Sequence, residues 1–440
     1  MGLNGRWRLA LSLATGFVLA AGWGPGPLAL ASGTVYPACL SSPCPAGSLQ
    51  LALPPAPLNA GVALEGQGGA LLLSDDPEYI TASDPLPGAL YRDTVAGAFR
   101  VFYHHDNATG TGAPINVAVA VTNPGPQAVL LYERGHGQGL SPYPDVAGQS
   151  AVLGFLQTRQ QVTFLAALAA GQSFYVSPQA VPPAQIGSGL EEFVALTPPA
   201  AAAAPGTLPP PLPAAAADAL VAHPFSGRPR GTGTPTLPAG FTPAPVTVTT
   251  VAYTGTAPGA PAALPVLPLS PAGAKLMQNG LLSRGTFPHY DRFGNLALTV
   301  SQGVQSLAVD TSPPGYTYSN AMPGEYEVGV DAVDHGATGY DSGNYGVLYN
   351  FRAVLTNDTE PAKVPVGLLM RPTGGFGHYA LQVGSQVAVS PFLSYRSYWL
   401  FDEVQLLGAR TRTEIDATLP GGSYGPQALY FVPNFAPPSG

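Results

Sequence analysis

The densest run of chemically capable side chains is Glu325-Tyr326-Glu327-Val328-Gly329-Val330-Asp331-Ala332-Val333-Asp334-His335, with Asp341 beyond it. Side chains alternate along a strand, so Tyr326, Val328 and Val330 are expected on a core face and Glu325, Glu327 and Asp331 on the opposite one. Asp334, His335 and Asp341 follow in a Gly-rich loop that can fold back toward them. Carboxylates crowded at a strand end are how hard oxygen sites for Ca²⁺ are built, and His335 would admit a transition metal. The spacing is not that of an EF-hand loop, and a solvated acidic face is the competing expectation. Glu325 and Glu327 would lie about 7 Å apart on one strand face, at ~3.3 Å per residue. That suits a pair of glycosidase carboxylates, so a carbohydrate-active hydrolase using Glu325 or Glu327 with Asp331 or Asp334 is a second reading. A Ca-stabilised structural module is a third.

Other residues offer less. His104 and His105 end a strand-like run, and adjacent residues point to opposite faces, so they cannot share one ion from a regular strand. One is expected to be packed and the other exposed, with His136 as a distant partner. Gly421-Gly422-Ser423-Tyr424-Gly425 matches Gly-x-Ser-x-Gly literally. A nucleophile elbow needs a strand before it and a helix after it, whereas Pro420 and Pro426 flank this segment, so a turn is expected. Tyr345, Tyr349, Tyr395, Tyr398 and Trp399 are candidates for a stacking surface that binds sugars or proteins. Packing in a β core uses the same residue types. No cofactor other than Ca²⁺ is suggested.

The elements that must position these groups are short strands. Clean alternation in Arg100-Val101-Phe102-Tyr103-His104 reads as a half-buried strand. Asn116-Val117-Ala118-Val119-Ala120-Val121-Thr122-Asn123 and Asn350-Phe351-Arg352-Ala353-Val354-Leu355-Thr356-Asn357 share one pattern, and each leads through a Pro-containing turn to another apolar strand. This suggests a duplicated hairpin. One helix is expected around 147–157, where Val152, Phe155 and Leu156 show helical spacing. Pro365 inside a strand suggests an edge position. The expected fold is all-β: two antiparallel β-sandwich domains, over 51–197 and 246–433, joined by a disordered Pro/Ala-rich linker over 198–245. A short tail, 434–440, follows.

Arg6 and Arg8, the apolar run Leu9 to Trp23 and Ala29-Leu30-Ala31 read as a secretory signal over 1–31. An uncleaved anchor is the alternative. In the oxidising compartment this implies, Cys39 and Cys44 in the tail 32–50 are expected to form a local disulfide. Only 10% of the chain is charged and its net charge is −8, more negative still once the leader leaves. This argues against nucleic acid and anionic membrane surfaces, which call for basic patches.

Ser74-Asp75-Asp76-Pro77-Glu78, Leu90-Tyr91-Arg92-Asp93 and Arg100 to Asn107 resemble the opening of uncharacterised secreted bacterial proteins. Some of these are similar to chains carrying a copper-amine-oxidase-like stalk domain. Arg284-Gly285-Thr286-Phe287-Pro288-His289 and Gly343 to Tyr349 are similar to the same group. The resemblance implies a cell-envelope setting and no catalysis. The amine oxidase quinone motif is absent: Gly346 follows Asn344-Tyr345, position 341 is Asp rather than Thr, and His104-His105 is not His-x-His. The expectation is a secreted, non-enzymatic envelope protein, not integral to the membrane after cleavage, that binds a wall glycan or a surface protein.

Overall fold

In a computed structural model the protein is described over residues 31–36, 49–53, 61–199, 208–217, 220, 236–310, 312–316, 321–359, 363–406 and 410–435. Residues 1–30 of the expected leader and the expected Cys39–Cys44 disulfide fall outside these residues. The fold is all-β, and four main sheets carry it.

The central sheet runs in the order Thr163–Leu168, Val129–Ser141, Ile186–Thr197, Ala98–Ala108, Ala70–Ser74, Arg284–Phe287, Val328–Asp331, Ala337–Asp341 and Leu281–Leu282. One face meets a smaller sheet of Ser173–Val181, Ile115–Thr122, Pro245–Tyr253 and Gly88–Ala96. The other face meets the helix Pro144–Thr158 and a sheet built on Arg410–Ala417, Leu348–Thr356 and Asp291–Thr299, which stacks on a further sheet containing Val364–Pro372, Ser397–Leu406 and Gln427–Pro433. Alternation assigns the faces. Leu71 and Leu73 enter the core beneath the helix, and Leu72 enters the core shared with the smaller sheet. Phe102 and its neighbours Val101 and Tyr103 divide the same way. The strand expected to be half-buried is therefore buried on both faces, because a second layer covers what would have been its wet side.

The division at 198–245 does not match the sheets. Pro245–Tyr253, assigned from sequence to the second unit, pairs antiparallel with Gly88–Ala96 and Ile115–Thr122 of the first. Arg284–Phe287 pairs with Ala70–Ser74, and Glu65–Gln67 pairs with Asp291–Thr299. Nor are the described parts of the Pro/Ala segment loose. Leu220 is fully buried against Leu130, Tyr132, Val194 and Leu196, and the Leu212 amide donates to the Tyr132 hydroxyl at 2.6 Å. A few aliphatic side chains in an otherwise small-residue stretch suffice to cover a sheet face.

The repeated Asn pattern forms two sheet-crossing arches rather than two hairpins. Ile115–Thr122 lies in the smaller sheet, and the strand after its turn, Val129–Ser141, lies in the central one. Leu348–Thr356 and Val364–Pro372 are likewise in different sheets. Asn123 holds the first corner: its Nδ2 donates to the Gln127 and Leu168 carbonyls and its Oδ1 accepts the Gly125 amide. Asn357 plays the lesser part of this role, its Oδ1 accepting from the amide and hydroxyl of Thr359.

The long helix begins at Pro144, where a missing N–H costs nothing. A second helix, Pro271–Gln278, escaped the periodicity, although Ser270 caps it by accepting the Gly273 amide and Pro271 opens it. Pro365 is in an interior strand, flanked by Gln405 and Phe435, not at an edge. It is tolerated because it sits near the strand's start, where its carbonyl still accepts the Phe435 amide.

Candidate functional site

The acidic segment does not assemble into one site. Val328 and Val330 are 51% and 40% exposed, while Gly329 and Asp331 are buried, the reverse of the expected facing. The reason is Arg284 in the interior, whose Nε donates to Asp331 Oδ2 at 3.0 Å. Asp331 Oδ1 accepts the amides of Val333 and Asp334. Glu325 is fully buried, with Oε2 accepting the Met322 amide and Oε1 the Tyr349 hydroxyl. Glu327 lies outside, paired with His289 at 2.9 Å and Arg292 at 3.4 Å. His335 is exposed in a left-handed turn, and Asp341 is interior, burial raising its pKa well above the carboxylate range. Among the described residues no three His, Cys, Asp or Glu side chains converge as metal ligands. A carboxylate pair flanking a sugar is likewise not formed by Glu325 and Glu327, since one is sealed in the core.

The aromatic candidates part company. Tyr349, Tyr398 and Trp399 are fully buried and cannot offer a face to a ligand; Trp399 packs on Phe401 with ring centroids 5.7 Å apart. Tyr345 is half-buried, stacked on Phe102 at 5.6 Å, and its hydroxyl donates to the Ser423 carbonyl. Tyr395 is exposed beneath Arg396. The Gly421–Gly425 segment is a turn before the last strand, as its prolines indicated. Ser423 is fully buried and its hydroxyl donates to the His378 carbonyl at 2.8 Å.

Both histidines at 104 and 105 are buried, against the expectation of one exposed, because both faces of their strand are covered. His105 contacts Ser74 Oγ and the Pro77 carbonyl. Neither ring nitrogen of His104 has a hydrogen-bond partner. Gly421 lies so close that a Cβ there would come 2.4 Å from His104 Nδ1. Burial, with His105 adding to it, pushes the His104 pKa down to about 3. The unfolded chain, with a histidine pKa of about 6.5, takes up a proton that the fold refuses, so stability is full above pH ~6.5 and falls as pH drops below it. At about 1.4 kcal/mol per pH unit this reaches roughly 2 kcal/mol by pH 5. His104→Leu should therefore gain about 2 kcal/mol relative to the parent between pH 7 and pH 5, read from urea midpoints. An equal difference at the two pH values would show that the ring already carries its charge in the fold.

What the structure does bring together is a group that alternation could not reveal. Phe376, Phe392 and Tyr424 are 47%, 51% and 47% exposed, with Phe376 centroids 5.7 Å from Phe392 and 5.0 Å from Tyr424. Phe376 pairs with Ser394 in a two-residue ladder that sets Phe392 on the same side. Gly377 is obligatory there, since a Cβ would come 2.5 Å from Ser423 Oγ. The His378 ring lies 5.6 Å from Phe392, and its Nδ1 is 2.8 Å from Asp145 Oδ2 at the start of the long helix. The Tyr424 carbonyl accepts the Tyr379 hydroxyl, so the turn carrying the third ring is pinned from below by Tyr345, Tyr379 and Ser423. Exposed Tyr79 stands nearby, with Asp106 beside it in register, and exposed Tyr143 precedes the Pro144 that packs on Gly422. The signal available in the sequence was an aromatic residue beside glycine or proline, as in Gly375-Phe376-Gly377, Pro391-Phe392 and Ser423-Tyr424-Gly425. Such residues sit in turns and have no strand face to hide on.

The central sheet also carries a buried ion network. Arg100 donates to Glu192 Oε2 through Nε and Nη2, to Asp291 Oδ1 at 2.8 Å, and to the Tyr290 and Gly346 carbonyls. Its guanidinium also lies 4.3 Å from the Tyr290 ring centroid. The other Glu192 oxygen meets Arg134 at 3.2 Å. Farther along, Arg159 at the end of the long helix pairs with Asp416, which also accepts from Asn350. These pairs tie the layers together.

No protein-family model and no curated protein matches the chain. Among solved structures, a xanthan lyase of Paenibacillus aligns with 88% of this chain and 28% of the lyase, at 9% identity and a TM-score of 0.16. The chain thus spans little more than a quarter of that enzyme's length, and so low a score bears on neither fold nor function. Among the described residues no helix is long and apolar enough to cross a membrane.

Proposed function

We propose that this is a secreted, non-enzymatic cell-envelope protein that binds a surface polysaccharide on the Phe376, Phe392 and Tyr424 platform. The observation that carries the reading is three aromatic rings, each about half exposed, with Phe376 in contact with the other two beside a turn held by buried hydrogen bonds. Large apolar rings clustered in water call for a partner. Sugar rings present C–H faces that stack on such groups, with hydroxyls at their rims for His378 and Tyr79. The leader-like N-terminus and the acidic balance support an envelope setting. Phe376→Ala or Tyr424→Ala should each weaken retention on insoluble wall polysaccharide roughly tenfold, about 1.4 kcal/mol, with thermal unfolding unchanged. Retention that survives both substitutions would overturn the reading.

A further inference from the structure

The platform is one end of a longer seam. From His378 and Tyr379 the chain enters the hairpin Ala380–Val383 and Gln386–Val389, which returns through Ser390 to Phe392. The hairpin runs beside the helix Pro144–Thr158: Asp145 pairs with His378 at the platform end, and Gln149 Nε2 donates across to the Tyr379 and Ser390 carbonyls. At the far end, where the hairpin turns and the helix stops, the two elements leave an open groove of about 360 Å³. Leu156, Gln157, Gln160, Gln161, Gln382 and Val387 line it. Its floor is fixed, because Gln382 Oε1 accepts from Arg159 and its Nε2 donates to the Gly384 carbonyl. From Asp145 to Gln157 the helix rises about 18 Å at 1.5 Å per residue.

We infer that the ligand is an extended neutral polysaccharide that stacks on the platform and continues along this seam into the glutamine groove. The inference rests on the glycan reading above and adds the class and length of the ligand. The groove end is uncharged, and at the platform end the three rings themselves are uncharged. No charged side chain lines the groove, and the guanidiniums that lie over aromatic rings cover other residues, not Phe376, Phe392 or Tyr424. Primary amides supply donors and acceptors together, which is what a hydroxyl-rich, ion-free polymer presents. A uronate polymer would instead meet the Asp145 and Asp106 carboxylates, only the first of which is paired with a histidine. Occupying both ends with one chain makes the second contact intramolecular, so affinity rises steeply once the oligomer spans the seam.

The test is calorimetric titration of the intact mature protein with size-graded neutral oligosaccharides from glucan, xylan and mannan, and with a uronate series. Long neutral oligomers should bind at least tenfold tighter than short ones. The combined change Gln157→Ala, Gln160→Ala and Gln161→Ala, all on exposed positions, should reduce the long oligomers to the affinity of the short and leave the short unchanged. Equal affinity for long and short oligomers, indifference of long ones to the glutamine changes, or tighter binding of uronates would each overturn the inference while leaving the platform reading standing. Short-oligomer binding that survives Phe376→Ala would instead overturn the platform reading itself. Failure of every neutral series to bind would overturn both.

Discussion

Replacing Glu192 with alanine should cost about 3–5 kcal/mol of folding stability, the range for removing one partner of a buried ion pair. Both oxygens of this fully buried carboxylate are engaged, one by Arg100 and the other by Arg134. Without it, two buried guanidiniums would share Asp291 as a countercharge. The penalty for a stranded buried charge exceeds what the pair itself contributes, so the loss should be far larger than for Glu192→Gln, which keeps an acceptor toward Arg100. Denaturant unfolding reads both variants directly. A loss below about 1 kcal/mol for Glu192→Ala would mean that the guanidiniums reach water, and the description of a sealed network would fail.

Trp399→Ala should cost a similar amount, about 3–5 kcal/mol, through the cavity it opens between two stacked sheets. The ring is fully buried in the core that also holds Phe401, Met370 and Leu429. Any loss of ligand retention in this variant should track its loss of folded protein, and should vanish when the folded fraction is matched by lowering the temperature. A selective loss of binding in a fully folded Trp399→Ala protein would restore this residue to the binding surface. The contrast with Phe376→Ala, which should lose binding and keep stability, separates the two aromatic groups cleanly.

Much of the strand content was legible because short apolar runs bounded by turn residues form strands whether one face or both are covered, as in Ala70–Ser74 and Ala98–Ala108. The long helix was legible from its 3–4 spacing, with Val152, Phe155 and Leu156 all reaching the core. What alternation does not encode is how many layers lie above a strand. That single gap accounts for most of the misplacements: His104 and His105 both vanish into cores, Asp331 turns inward to Arg284, and Trp399 and Tyr398 pack rather than bind. The Pro/Ala segment was misread because composition measures how little apolar surface is available, not whether Leu212 and Leu220 suffice where they land. The platform was missed because its residues are far apart in the chain and belong to no periodic element. Nothing local to residue 376 announces residue 424.

The arches and shared sheets carry a consequence for biogenesis. Ala70–Ser74 waits for Arg284–Phe287, Glu65–Gln67 for Asp291–Thr299, and Ala31–Tyr36 for Ser397–Leu406. Each early strand is a partner to one made much later, and loop closure over such separations slows folding. A chain emerging N-terminus first must carry unpaired apolar strands until its last third arrives. The abundance of proline then acquires a use that the finished fold does not display: it denies stray edges the N–H they would need to pair. The same residues that looked like a linker can serve to hold the nascent chain apart until the right strand comes.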